Sequence, residues 1–143
     1  MDFSIILTEW PTYWEGFYTT IWLVAVSLML GLMLAVPMGI LRNSRNWLIK
    51  GPIWAYIYFF RGTPLLVQLF IIYYGAAQWE WLKNGPAWVL FSEAWFCALL
   101  AFTLNTGAYT AEIVRGAVLN MPKGQIEAAN AFGMSRWPTL TRI

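Results

Sequence analysis

The 143-residue sequence has no histidine and a single cysteine, Cys97. One thiol excludes a disulfide within the chain, and without histidine a zinc site lacks its usual ligands. Charge is scarce too: 11% of residues are Asp, Glu, Lys or Arg, against about 25% in soluble domains. No Lys or Arg precedes Arg42, so the N-terminus lacks the cationic segment that opens a secretory signal peptide. There is no Ser/His/Asp or Cys/His grouping, no pair of carboxylates and no Gly-rich phosphate loop; Gly107 and Gly116 do not make one. Hydrolytic and nucleotide chemistry therefore have no seat in this chain. Neither a low-complexity tract nor an internal repeat is detectable.

What the sequence has instead is apolar length. Hydrophobic residues make up 59% of the chain, and ten tryptophans suit a protein with two water–lipid interfaces. Cys97, inside an apolar run, reads as a small buried hydrophobe. Residues 1–16 carry Asp2, Glu9 and Glu15 beside Trp10, Pro11, Tyr13 and Trp14, and read as a short interfacial piece on the outer side. Residues 17–41 have no charge. As a helix they reach about 37 Å, enough to cross a hydrocarbon core of about 30 Å with some tilt. This is the first expected span, with Pro37 and Gly39 placed to kink it near its end. Arg42, Arg45 and Lys50 follow at once and mark the cytoplasmic side, so the first span runs inward.

Residues 52–82 are apolar except at Arg61-Gly62-Thr63-Pro64. Thr63 suits an N-cap and Pro64 a first helical residue, which predicts a new helix from Pro64 to about Trp81 and a second span over 64–82. Residues 53–60, with Trp54, Tyr56 and Tyr58, then lie in the cytoplasmic interface or form a packed half-helix, and Arg61 sits near the inner surface. The alternative is one continuous kinked span with Arg61 snorkelling. Residues 83–92, with Lys83, Asn84, Gly85 and Pro86, form an outer loop flanked by Trp79, Trp81, Trp88 and Trp95. Residues 94–114 return inward as a third span. This topology puts Arg42, Arg45, Lys50, Arg61, Arg115, Lys123, Arg136 and Arg142 inside and only Lys83 outside, as the positive-inside rule requires.

Polar residues within spans are the candidate working parts. Asn105, Tyr109 and Glu112 fall at i, i+4 and i+7 on one face of the third span. They line either a pathway or a helix–helix seam; Glu112 can also simply pair with Arg115. Thr103, Thr106 and Thr110 form a second stripe, expected to bond their own backbone, and Gln68 is a further candidate one turn into the second span. Beyond the spans, Gln125 to Phe132 read as a helix. Ala128 with Ala131 and Ala129 with Gly133 leave one side of it almost without side-chain bulk, and Glu127 adds a negative charge at its start. Such a segment is either an ordinary Ala-rich surface helix or one slim enough for a partner's cleft.

Three stretches together resemble permease subunits of the polar amino-acid class of ABC importers: Phe60-Arg61-Gly62-Thr63-Pro64-Leu65-Leu66-Val67-Gln68, Leu104-Asn105-Thr106-Gly107-Ala108-Tyr109-Thr110-Ala111-Glu112-Ile113, and Glu127-Ala128-Ala129 followed by Gly133 and Ile143. The last is similar to the EAA loop of that family, and the likeness covers nearly everything from about residue 17 onward. Within the class it is greatest to histidine and arginine permeases. The resemblance implies an all-α integral membrane protein of the bacterial inner membrane, similar to the first part of the type I importer permease fold, which normally has five spans. On that pattern residues 1–16 are a periplasmic segment and 17–143 an incomplete transmembrane domain whose cytoplasmic loop, 115–143, holds a coupling helix. Glu127, Ala128, Ala129, Phe132, Gly133 and Ile143 would couple it to an ATPase, and Arg61, Gly62, Thr63 and Pro64 are the family motif opening the second span.

The implied partners are ABC ATPase subunits, a second permease, a periplasmic solute-binding protein and the lipid bilayer, with no nucleic acid. ATP and magnesium would sit on the partner, and this chain would hold no metal or cofactor and be no enzyme. The family pattern also leads one to expect two further spans after Ile143, so the chain reads as a fragment or an interrupted gene. The rival readings are a non-transporting membrane fragment, a secondary transporter or channel component, and a structural or regulatory membrane protein complete at three spans.

Overall fold

The computed structural model describes residues 9–135 and Thr139. Every described element is helical. They are α1 (Trp10–Leu41), α2 (Trp47–Gly62), α3 (Leu65–Gln78), α4 (Glu80–Lys83), α5 (Trp88–Phe91), α6 (Ala94–Leu119) and α7 (Lys123–Ala131). Two of them, α1 and α6, are long and apolar enough to cross a membrane, and α2 with α3 passes the same test as a pair bent by 107°.

Helix α1 begins earlier than the composition suggests. Trp10, Pro11, Tyr13 and Trp14 belong to its first turns and are continuous with the apolar run. Pro11 explains this, because a proline at the start of a helix gives up no internal hydrogen bond and pre-sets φ. At 32 residues the helix is about 48 Å long, longer than a hydrocarbon core of about 30 Å.

α1 packs on α6 through a seam of small residues. Ser27, Gly31, Ala35 and Gly39 recur every fourth position and are the buried residues of α1. Opposite them Cys97, Ala101, Gly107, Ala108 and Ala111 are buried on α6. A methyl added to Gly39 would lie 2.7 Å from Val114 Cβ and 2.8 Å from the Ala111 carbonyl oxygen, and one on Gly31 would lie 3.0 Å from Thr106 Cβ. Gly39 is thus a point of close backbone approach, and α1 is continuous through it and Pro37. Missing bulk lets two backbones meet where lipid offers no hydrophobic drive to association.

The contacts also order the chain in space. Trp22 meets Trp95 at 5.8 Å between ring centroids, Gly31 meets Thr106, and Gly39 meets Val114. Residue numbers rise together, so α1 and α6 run parallel. Between them, Ile57 packs beside Ala35 and Ala111 with Met38 and Ile53, while Tyr56 donates to the Leu104 carbonyl at 2.6 Å. Helix α2 therefore starts level with the C-terminal ends of α1 and α6 and reaches the middle of α6. From there α3 continues toward Leu100, Phe91 and Leu82, with which it encloses an apolar cavity of about 550 Å³.

Several boundaries differ from expectation. Thr63 does not cap α3; it ends α2 in an extended conformation, and Pro64 occupies the N-cap position of α3. Helix α3 stops at Gln78 instead of about Trp81, because Trp79 turns extended before the short α4. The loop expected over 83–92 contains one helical turn, α5. Helix α6 runs on past Val114, where the third span was expected to end, to Leu119, and carries Arg115 within it.

Candidate functional site: a broken helix and the cleft beside it

The break between α2 and α3 leaves carbonyls at the end of α2 without intrahelical donors. Pro64 cannot help, having no N–H. Side chains take over. Thr63 Oγ1 donates to the Phe59 carbonyl at 2.8 Å. Gln68 Nε2 reaches the Phe60 carbonyl at 2.8 Å, the Thr63 carbonyl at 2.9 Å and Thr63 Oγ1 at 2.8 Å. Asn105, on α6, donates from Nδ2 to Gln68 Oε1 at 3.2 Å and to the Phe60 carbonyl at 3.4 Å. Gln68 is 2% exposed. In a low-dielectric setting a fully partnered amide rigidifies its surroundings, and an unpartnered one is costly.

The polar face of α6 thus divides. Asn105 and Gln68 are brought together as a seam that closes the elbow. Tyr109 and Glu112 lie further toward the C-terminal end of α6 and open onto a cleft of about 370 Å³, lined also by Arg42, Trp54, Ile57, Tyr58, Arg61 and Gly62. The Arg61 guanidinium lies 5.4 Å from the centre of the Tyr109 ring, a cation–π distance. Glu112 is ion-paired with Arg115, whose Nε donates to Glu112 Oε1 at 2.8 Å. Arg61 therefore lies beside Tyr109 of α6 at the wall of this cleft and remains exposed. Of the second stripe, Thr103 is buried and its hydroxyl has no partner among the described residues, contrary to the expected backbone bond.

The C-terminal segment holds a helix, shifted from its expected place. Helix α7 starts at Lys123 after Pro122 and ends at Ala131. Glu127 is consequently its fifth residue, beyond the first turn where a helix dipole rewards an anion. Gly133 is not on the helix face with Ala129. It follows the Phe132 cap with φ +74. Gly133 N donates to the Asn130 carbonyl and Met134 N to the Ala129 carbonyl, each at 3.0 Å. That pair of bonds is the Schellman closure, which requires a left-handed residue and so favours glycine. Ala129 is 3% exposed, while Ala128 and Ala131 are exposed and Phe132 is 88% exposed. Ile143 lies outside the described residues.

Residue reading missed three participants. Tyr56 ties α2 to α6, Arg42 lines the cleft, and the small residues of α1 form the seam. Only the last had a signal, the fourfold spacing of Ser27, Gly31, Ala35 and Gly39.

Comparison with known proteins gives a consistent result. The family model described as "Binding-protein-dependent transport system inner membrane component" matches residues 27–143. The chain is 44% identical over its whole length to the nopaline transport system permease protein NocM of Agrobacterium fabrum, covering 60% of that protein. It is 49% identical over 85% of its length to the octopine transport system permease protein OccM of Rhizobium meliloti, covering 49% of it. To the histidine/lysine/arginine/ornithine transport system permease protein HisM of Escherichia coli it is 45% identical over 84% of its length, covering 51% of that protein. Thus the chain spans about half to three-fifths of the length of these relatives. Among solved structures, one described as an amino acid ABC transporter with histidines matches 98% of the chain and 61% of its own with a TM-score of 0.77 at 32% identity.

Proposed function

The chain belongs to the family of binding-protein-dependent transport system inner membrane components, and we propose that it acts as the permease subunit of an ATP-driven importer of polar or basic amino acids. In this reading it is not itself an enzyme. ATP and magnesium sit on a partner ATPase, a second permease completes the pathway, and a periplasmic solute-binding protein delivers the substrate. Among the relatives, HisM is a histidine/lysine/arginine/ornithine permease, which supports the substrate class.

Helix α7 is the proposed coupling element. The observation that carries this is its exposed end: a short helix outside the candidate spans, closed at Gly133, with Ala128 and Ala131 bare and Phe132 88% exposed. Slim residues beside one aromatic anchor suit insertion into a partner's groove. Parallel α1 and α6 support a common direction for both, with the bent pair α2–α3 as the single return crossing, because two parallel crossings need an odd number between them. The excess of cations at the α1/α6 C-terminal end supports a cytoplasmic location for that end.

Crosslinking tests the reading. A cysteine replacing Phe132, in a full-length permease carrying this segment, should crosslink to the ATPase subunit and respond to ATP. Uptake of labelled arginine or histidine should depend on this permease. Absence of any crosslink with transport intact would remove α7 from coupling, and uptake of neither amino acid would remove the substrate class.

A further inference from the structure

We propose that the cleft shared by α1, α2 and α6 binds the phosphate of an anionic phospholipid headgroup. Its cations come from two separate elements, Arg42 at the end of α1 and Arg61 at the end of α2. Arg42 Nε is buried and meets no hydrogen-bond acceptor among the described residues. Arg61 rests on Tyr109, a ring face that attracts the cation without neutralising it. The cleft's own acid, Glu112, pairs with Arg115 through Oε1, the one ion pair among the described residues, and Arg42 and Arg61 feel its charge only from beyond pairing distance. Two arginines without carboxylate partners among those residues thus line a cavity of about 370 Å³, and planar guanidinium is the side chain best matched to phosphate.

The rest of the wall favours a lipid over a free ion. Trp54 and Tyr58 stack at 5.1 Å and are both exposed at the cleft's edge, and Ile57 adds an apolar wall. Such aromatics settle at headgroup depth, and basic pockets between transmembrane helices bind anionic headgroups. A free phosphate would make no use of the apolar side, whereas a phospholipid would lay its glycerol and first methylenes there. The inference needs only that the chain is membrane-embedded and is independent of which solute is transported.

Native mass spectrometry of the purified full chain, titrated with phosphatidylglycerol, phosphatidylethanolamine or inorganic phosphate, tests it. Phosphatidylglycerol should be retained roughly tenfold more tightly than phosphatidylethanolamine, and Arg42→Gln with Arg61→Gln should abolish that preference. Arg42→Lys with Arg61→Lys keeps the charge and should insert normally with intermediate retention, and Lys83→Gln, a cation elsewhere, should change nothing. Equal retention of both lipids, or an unchanged preference in the double glutamine variant, would overturn the proposal. So would loss of the preference in the Lys83 variant, or displacement of phosphatidylglycerol by equimolar inorganic phosphate.

Discussion

Replacing Gln68 with leucine conserves most of the volume at the elbow and deletes every hydrogen bond its amide makes. The amide serves three acceptors on Phe60 and Thr63 and accepts from Asn105. Two N–H groups cannot fully satisfy three acceptors, so the deletion amounts to about two donated bonds and one accepted bond. The Phe60 carbonyl keeps its longer bond from Asn105. The Thr63 carbonyl loses its donor, and Asn105 loses its better acceptor. A buried group left unpaired costs about 1–3 kcal/mol, while interhelical bonds in membrane proteins average about 0.6 kcal/mol. Together these put Gln68→Leu at about 2–3 kcal/mol. Reversible unfolding in mixed detergent–lipid micelles, followed by tryptophan fluorescence, measures it, with Val67→Leu as the exposed neighbour for control. A double-mutant cycle with Asn105→Leu should give a coupling of about 0.6–1.7 kcal/mol. A loss below about 0.5 kcal/mol, the scatter of ordinary surface substitutions, with no coupling, would refute the reasoning and leave the elbow to apolar packing.

The seam makes a second prediction: Gly39→Ala should cost about 1–3 kcal/mol by overpacking, Gly31→Ala less, and Val114→Ala should rescue Gly39→Ala only in part because the Ala111 carbonyl still stands 2.8 Å away; the same unfolding measurement checks all three. For topology, cysteines replacing Lys83 and Arg45 should be labelled by an impermeant thiol reagent from the periplasmic and cytoplasmic sides respectively, since native Cys97 is fully buried; outside labelling at position 45 would invert the chain. If α7 couples to an ATPase as proposed, Phe132→Ala and Ala128→Trp should reduce substrate-stimulated ATP hydrolysis in a full-length permease by about tenfold, as loss or obstruction of an aromatic anchor does. Gly133→Ala should instead lower helicity of the isolated segment, read by circular dichroism, because it strains the closure at φ +74.

Much of this was legible in the residues. The three apolar stretches, the cations gathered at one end of them and the interruption at Arg61–Pro64 follow from charge placement and a proline, both of which act locally. The existence of a helix near Glu127 also follows from local propensity. What escaped was set by contacts between distant segments. Nothing near Gly39 announces that Val114 will press on it, and nothing near Gln68 announces that Asn105 will help close the same helix end. Position along the helix misled as well: Ala129 and Gly133 are four apart, which reads as one face, but the helix ends at Ala131 and Gly133 is itself the left-handed residue that closes it.

The tetrapeptide Arg61–Pro64 is accordingly two devices rather than one motif. Pro64 forbids a backbone closure of α2, and Thr63 supplies both a hydroxyl donor and a carbonyl that calls for Gln68. These residues are explained by the chemistry of a broken helix, whose freed carbonyls need partners. Arg61 takes no part in that closure. Its guanidinium turns away from the elbow to Tyr109 and the cleft shared with Arg42. The chemistry within its reach is that of the cleft. The break and the charge lie next to each other in the chain because the break is what lets α2 end there, aiming the last turn of one helix at the face of another.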